Sequence, residues 1–194
     1  MYWMMTSRAP IGELIALAGD QPNLLEPGTN FSLSWHRGHR FTAPLPEPLS
    51  IALNDLQGGD YVPDYFQPAI PLMRDRLLTV LRKAGVDNID DYAVTLKSRK
   101  VPAAQLEGFR AVNIIGMLKC ADLEASTCEI DDADAPGGVT FDSLVIDDSR
   151  AAGAMFFRLY EAPNGLVVID SVKKAVEAAQ LPGVVFVKPE DWLG

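Results

Sequence analysis

The chain has 194 residues, of which 48% are hydrophobic and 22% charged, and these values are typical of a globular protein and exclude extensive disorder. Its 26 acidic and 17 basic residues give a net charge of −9, which disfavours binding to nucleic acid or to an anionic membrane and favours a basic partner. No run of about 18 apolar residues is present, so the sequence predicts no membrane span.

Proline dominates the first part of the chain. Nine of the 14 prolines lie in residues 1–71, and proline fixes φ and removes a hydrogen-bond donor. This composition predicts short strands at residues 2–5, 31–35 and 49–53, joined by long loops. We predict that residues 1–60 form an irregular β/loop part packed on an α+β domain of residues 61–194.

A helical pattern follows. Apolar residues recur at helical spacing, Pro71 suits a first turn and Gly85 suits the position after the last turn. The sequence therefore predicts a helix over residues 71–84.

The remaining residues are rich in strand patterns. Strands are predicted at residues 92–96, 109–118, 139–146, 154–160, 166–169 and 184–187. Pro163, Asn164 and Gly165 predict a hairpin turn. Asp170 or Ser171 is expected to cap a second helix with its inner face at Val172, Ala175, Val176 and Ala179. The predicted fold class is α+β, with a mixed, mainly antiparallel sheet and two principal helices.

Negative charge is concentrated in one tract, residues 120–149. It contains nine acids and no Lys, Arg or His. Because like charges repel, this tract predicts a basic counterpart, either a partner protein or Arg and Lys from elsewhere in the fold. The alternative is a solvated loop that only keeps the protein soluble.

Candidate metal sites and nucleophiles find little support. The segment from Asp132 to Gly137 begins like a calcium loop, but a proline stands at the third ligand position and Ser143 at the twelfth. His36 and His39 are the only histidines, and their spacing favours a surface turn over a zinc site. We expect no metal and no cofactor.

Cysteine chemistry points to the same interpretation. Cys120 and Cys128 are the only cysteines, so no disulfide framework is possible. Their acidic surroundings disfavour a reactive thiolate.

The N-terminal residues do not resemble a secretory signal, because Glu13 interrupts the early apolar run. We therefore predict a cytoplasmic protein with reduced thiols and no catalytic residues.

Several short motifs resemble those of a known family. They occur in order between Tyr61 and Trp192, and they comprise Val62-Pro63-Asp64-Tyr65, Ile70-Pro71-Leu72-Met73, Phe109 with Val112-Asn113-Ile114, Cys120 with Asp122, Glu124 and Ser126, Phe157-Arg158-Leu159, and Gly183 to Phe186. In this order they resemble the MXAN-type immunity proteins of bacterial polymorphic-toxin loci. Arg110 and Ala121 depart from the family's pattern, which has an aromatic and a bulkier apolar residue there.

The resemblance implies a protein that neutralises a cognate toxin by binding it. With the charge pattern, it predicts a basic toxin, for which a nuclease is a fitting class, and no binding to nucleic acid or membrane. The residues expected to face the toxin are acidic: Asp122, Glu124, Glu129, Asp131, Asp132 and Asp134. For three other motif residues we expect structural roles, with Asn113 as a buried amide, Asp64 as a cap or turn former, and Arg158 as a partner of the acidic tract.

Two other classes of function remain open at this point. A metal-dependent or carboxylate enzyme would use Asp64, His36 or the pair Asp132 and Asp134, and it would need a cleft where polar groups converge. An interaction module with a partner other than a toxin is the other alternative.

Overall fold

The computed structural model describes residues 1–18, 35–42, 44–66 and 70–194. The strands in these residues are β1 Tyr2–Ser7, β2 Leu49–Ala52, β3 Tyr65–Phe66, β4 Leu72–Arg74, β5 Ile89–Lys97, β6 Phe109–Ile114, β7 Met117–Leu118, β8 Thr127–Ile130, β9 Val139–Ser143, β10 Phe156–Leu159, β11 Leu166–Ile169 and β12 Val184–Val187. The helices are α1 Asp75–Lys83, α2 Asp148–Ala151 and α3 Asp170–Ala178, with short 3₁₀ turns at Ala103–Gln105 and Pro189–Asp191.

The strands form three sheets. The first has the order β12-β1-β11-β10-β7, the second β2-β5-β6-β4-β3, and the third contains β8 and β9. All neighbours pair antiparallel except β10 with β7 and β2 with β5. The predicted α+β class with a mixed, mainly antiparallel sheet is confirmed, and α1 and α3 are the two principal helices.

The N-terminal strand is an interior strand of the first sheet. β1 lies between β12 and β11, with Met4 opposite both Val187 and Val167. The predicted strand at residues 49–53 is confirmed as β2, whereas the one at 31–35 lies outside the described residues except for Trp35, which is in a turn. The division of the chain at residue 60 stays a prediction.

The first helix is shorter than its pattern predicts. α1 begins at Asp75, because Leu72–Arg74 forms β4 and pairs with both β3 and β6. Its apolar face, with Leu77 and Leu81 buried, and the glycine that follows it are as predicted, since Gly85 has a φ of +97°. Positive φ costs glycine little, so Gly85 can end the helix.

A glycine also divides the strand predicted at residues 109–118. Gly116 has a φ of +116°, and its N–H donates to the carbonyl of Gly38 at 2.7 Å. The chain leaves the second sheet at the end of β6 and enters the first sheet as β7. The prediction of one continuous strand is therefore wrong. The turn at Gly116 carries the chain from the second sheet to the first.

The predicted hairpin is confirmed. β10 and β11 pair antiparallel, and the N–H of Gly165 donates to Ala162 O at 2.8 Å. The cap prediction for α3 is wrong, because the capping position is Ile169 and no side chain bonds there. The Asp170 carboxylate instead accepts from Trp3 Nε1 at 3.1 Å and lies 2.7 Å from Lys174 Nζ.

Three apolar clusters hold these elements together. The first joins α1 and α3 to one face of both large sheets and includes Met5, Leu77, Val112 and Val172. The second lies on the other face of the first sheet and packs Phe141 of β9 against it. The third covers the other face of the second sheet. Because Phe141 belongs to the second cluster, the β8–β9 pair lies on the side of the first sheet away from α1 and α3. No helix in the described residues is long and apolar enough to cross a membrane.

Candidate partner-binding surface

The acidic residues predicted to face a partner surround the third sheet. Asp122 and Glu124 lie in the turn before β8, and Glu129 lies on β8 itself. The other three occupy the connection between β8 and β9: Asp131, Asp132 and Asp134. We call residues 122–143, which contain both strands and their flanking turns, the acidic hairpin.

Two of these six carboxylates shape the hairpin's loops. Asp122 Oδ1 accepts from the N–H groups of Glu124 and Ala125, both at 3.1 Å. Asp132 Oδ1 accepts from Asp134 N at 2.9 Å. Such carboxylate-to-backbone bonds are the usual way in which Asp stabilises a turn.

A third carboxylate, Asp134, is neutralised by a neighbouring lysine. Lys119 Nζ lies 2.9 Å from Asp134 Oδ1, and this hydrogen bond lowers the pKa of Asp134. The Asp134 side chain is 94% exposed, so the ion pair contributes little to stability. Asp134 has a local partner that a toxin would have to compete with.

The other three carboxylates have no such compensation. Glu124, Glu129 and Asp131 are exposed, and within the described residues no hydrogen bond or ion pair involves their side chains. Asp142 of β9 is exposed in the same way. These four residues leave the acidic hairpin with a negative field that the described fold does not neutralise.

The last acids of the acidic tract are partly neutralised by basic groups of the same protein that lie outside the tract. Asp147 caps α2 by accepting from the N–H groups of Ser149 and Arg150, and its other oxygen lies 3.0 Å from Arg150 Nε. Asp148 lies 3.7 Å from the N-terminal amine. Both acids after Asp142 therefore have a local partner, and Asp147 also caps a helix.

Arg158 corrects one expectation. It is 1% exposed on β10, its Nη1 donates to Pro163 O at 2.7 Å, and no carboxylate of the described residues forms an ion pair with it. Burial lowers the pKa of this guanidinium to about 10. Arg158 therefore does not neutralise the acidic tract.

Asp64 is also different from what the sequence indicates. It is fully buried, and its carboxylate pairs with Arg76 at 2.5 Å and with Arg74 at 3.1 Å. Its N–H donates to Pro182 O at 2.8 Å. Asp64 links β3 and β4 to the loop before β12, and it is a buried ion-pair residue. It caps no helix, and of the two predicted roles only the turn fits, since Asp64 lies at a bend before β3.

Asn113 has the structural setting predicted for it. Its side chain is buried on β6, and Nδ2 donates to His39 O at 2.9 Å. The amide thus fixes the loop that contains both histidines against the second sheet.

The groups proposed for catalysis do not assemble into a site. Within the described residues, no three or more His, Cys, Asp or Glu side chains are placed to hold a metal. His36 and His39 line an open hollow with Arg37, Met117, Pro136 and Pro163, and this lining has no carboxylate. Asp64 is buried between arginines, so it is not available to a substrate.

The cysteines are both free. Burial is the main cause that raises the pKa of Cys120 to about 12, with a further contribution from the charge of Glu161. A thiol with that pKa stays protonated at neutral pH, so thiolate chemistry is disfavoured at Cys120.

Glu161, whose carbonyl bonds to β9, leads to a prediction about how thermal stability depends on pH. It is 1% exposed, Oε1 accepts from Ala121 N at 3.1 Å, and burial raises its pKa. A carboxyl whose pKa is raised on folding destabilises the fold as pH rises through the window between its unfolded and folded pKa values. We therefore expect Glu161→Gln to raise the thermal midpoint at about pH 8 and to have a smaller effect at about pH 5.

The matched control is Glu124→Gln, which removes an exposed carboxylate that has no partner in the described fold. Its effect on the thermal midpoint should be small at both pH values. An effect of Glu161→Gln that is the same at both pH values would contradict a raised pKa at Glu161.

The chain is similar to one family of known proteins. The sequence model of the immunity protein family Imm11 matches residues 16–191 of the chain. The match extends over the acidic hairpin and over nearly all of the described fold. No curated protein matches the chain.

Proposed function

Because the chain belongs to the immunity protein family Imm11, we propose that it neutralises its cognate toxin by direct binding through the acidic hairpin. Membership of the family supports the toxin as partner. The observation that supports the hairpin is the group of exposed, uncompensated carboxylates Glu124, Glu129, Asp131 and Asp142. On this proposal the protein is an inhibitor and not an enzyme, and its toxin is of the polymorphic class.

The charge suggests the chemistry of the toxin surface. A net charge of −9 and a surface with unpaired carboxylates favour a partner rich in Lys and Arg. Enzymes that act on nucleic acid use such residues to bind phosphate groups. A nuclease domain is therefore the class of toxin that fits best, and occlusion of its basic substrate-binding surface is the simplest way to inhibit it.

Electrostatic attraction sets how fast and how selectively the two proteins meet, whereas tight binding needs buried apolar anchors. Two exposed apolar side chains belong to or adjoin the hairpin: Ile130 is 51% exposed and Val145 is 36% exposed. The carbonyl of Val145 accepts from Asp122 N at 2.8 Å, which places it beside the acids. We propose these two residues as apolar anchors of the interface.

The compartment follows from the same proposal. The protein acts in the cytoplasm, where it would meet toxin delivered into the cell or made in it. Two free cysteines and no disulfide among the described residues support a reducing compartment.

The direct test is neutralisation in cells. We expect the toxin gene to lie beside this chain's gene. Induction of the toxin domain encoded there should stop the growth of a host bacterium, and co-production of the chain should restore it. Continued growth arrest, with the chain folded and in excess over the toxin, would refute the proposed function.

A further inference from the structure

Within the described residues, the third sheet has one open edge. β9 is covered on both sides, by β8 on one and by the backbone of Glu161 and Gly194 on the other. β8 pairs with β9 alone, and no backbone hydrogen bond from another part of the described chain reaches residues 127–130. We propose that β8 is the edge onto which the toxin adds an extended basic segment as a third strand; this inference rests on the proposed function and specifies its mode of binding.

The hydrogen bonds of β9 show which groups of β8 face outward. Phe141 donates its N–H to Gly194 O at 2.6 Å and accepts from Gly194 N at 3.1 Å, so both of its backbone groups point away from β8. Val139 N also points away, toward Glu161 O at 3.2 Å. Phe141 is opposite Cys128 and Val139 is opposite Ile130.

In an antiparallel pair, residues alternate between those that bond their partner strand and those that face away from it. Since Phe141 and Val139 face away from β8, their opposite residues Cys128 and Ile130 face away from β9. Each therefore presents an N–H and a C=O group at the open edge. Glu129 lies between them and bonds toward Thr140 of β9.

The two faces of β8 define the strand that would fit. Cys128 and Ile130 lie on the face that packs toward the second apolar cluster, and the half-exposed Ile130 leaves apolar surface for an added strand to cover. Glu129 lies on the opposite face, because side chains alternate along a strand. A fitting segment has an apolar residue on the Ile130 side and Lys or Arg on the Glu129 side.

The same charge disfavours a second copy of this chain. Pairing β8 with β8 would place Glu129 and Asp131 of one molecule near those of the other, and like charges across a strand pair are destabilising. Charged residues on an edge strand are a common protection against such self-association. A basic strand reverses that repulsion, which is why the toxin is the occupant proposed here.

The edge strand β12 lacks this combination. β12 is an edge of the first sheet, but its four residues are apolar and Lys188 follows it. A basic segment would meet no carboxylate in that strand. The open backbone edge and the uncompensated carboxylates coincide at β8.

The first test follows the backbone amides themselves. In the free protein, we expect the outward N–H groups of Cys128 and Ile130 to exchange rapidly with solvent deuterium in NMR spectra, and that of Glu129 to exchange more slowly. Addition of an inactive variant of the adjacent toxin domain should slow exchange at Cys128 and Ile130 by at least about tenfold.

A second test separates the backbone from the side chain. Ile130→Pro removes the outward N–H, which β9 does not use, whereas Ile130→Ala retains it and removes most of the apolar side chain. We expect Ile130→Pro to weaken binding about tenfold more than Ile130→Ala does, with the thermal midpoints of the two variants similar.

The outcomes distinguish this inference from the function on which it rests. Tight binding with no protection of Cys128 and Ile130, and with Ile130→Pro equal to Ile130→Ala, would overturn strand addition while the neutralising function stands. Absence of binding by the natural protein would overturn both. Should Ile130→Pro fail to fold, the exchange measurement on the natural protein still decides.

Discussion

Replacement of Asp64 by asparagine is expected to lower the free energy of unfolding by about 3 kcal/mol. The Asp64 carboxylate is fully buried and pairs with two arginines, Arg74 and Arg76. Removal of one partner of a buried ion pair leaves an uncompensated charge, which usually costs about 3–5 kcal/mol. We expect the lower end of that range because Arg76 is 53% exposed and water would solvate it.

Asp91 supplies the matched control. It also binds two arginines, Arg82 and Arg110, but it is 18% exposed and lies on the surface of the second sheet. Asp91→Asn should cost about 1 kcal/mol or less, as exposed pairs do. Urea unfolding followed by tryptophan fluorescence measures both variants, and equal losses would contradict the assignment of Asp64 as a buried ion-pair residue.

The second large effect concerns binding. The double substitution Glu129→Lys and Asp131→Lys is expected to weaken binding of the toxin domain by at least about 100-fold at low salt. Both carboxylates are exposed on the acidic hairpin and have no partner in the described fold. Reversal of their charge replaces attraction to a basic surface with repulsion, so the association rate should carry most of the change.

A control with the same change in net charge is available. Asp87 and Glu107 are exposed, lie beside the second sheet and have no side-chain partner among the described residues. Their double substitution by lysine should alter the affinity by no more than about threefold. Surface plasmon resonance gives both rates, and an equal loss in the two double variants would show that net charge alone, and not the hairpin, attracts the toxin.

Local patterns in the sequence predicted the β10–β11 hairpin, β12 and the apolar face of α1, because each is specified by residues near in sequence. The start of α1 was wrong for a physical reason. The local pattern at Leu72 and Met73 fits a helix as well as a strand. These residues form a strand because they pair with β6, which lies nearly 40 residues later in the chain. Periodicity alone does not contain that information.

The acidic hairpin shows a similar limit. Its charge is plain in the sequence, but β8 has only Cys128 and Ile130 as apolar residues and was not predicted as a strand. The alternation of those two residues was the available signal. The short helix α2 was not predicted, and the sequence marks its cap, Asp147, only as one more negative charge.

Long-range polar contacts could not be predicted at all. Asp64 and Arg74 are ten residues apart and meet only because β3 and β4 pair, and nothing in their spacing marks the carboxylate as buried. The open edge of β8 likewise depends on which strands meet in space, since no other described strand pairs with β8. Such features arise from tertiary structure, and they are the ones on which the proposed binding mode depends.

The most direct test of toxin binding through the acidic hairpin is a calorimetric titration of this chain with the adjacent toxin domain at about 0.05 M and about 0.5 M salt. The account predicts nanomolar affinity at low salt and a steep loss of affinity at high salt, because salt screens exposed charges. Absence of binding at micromolar concentrations would contradict the immunity function for this pair. Tight binding that does not change with salt would contradict the role of the acidic hairpin.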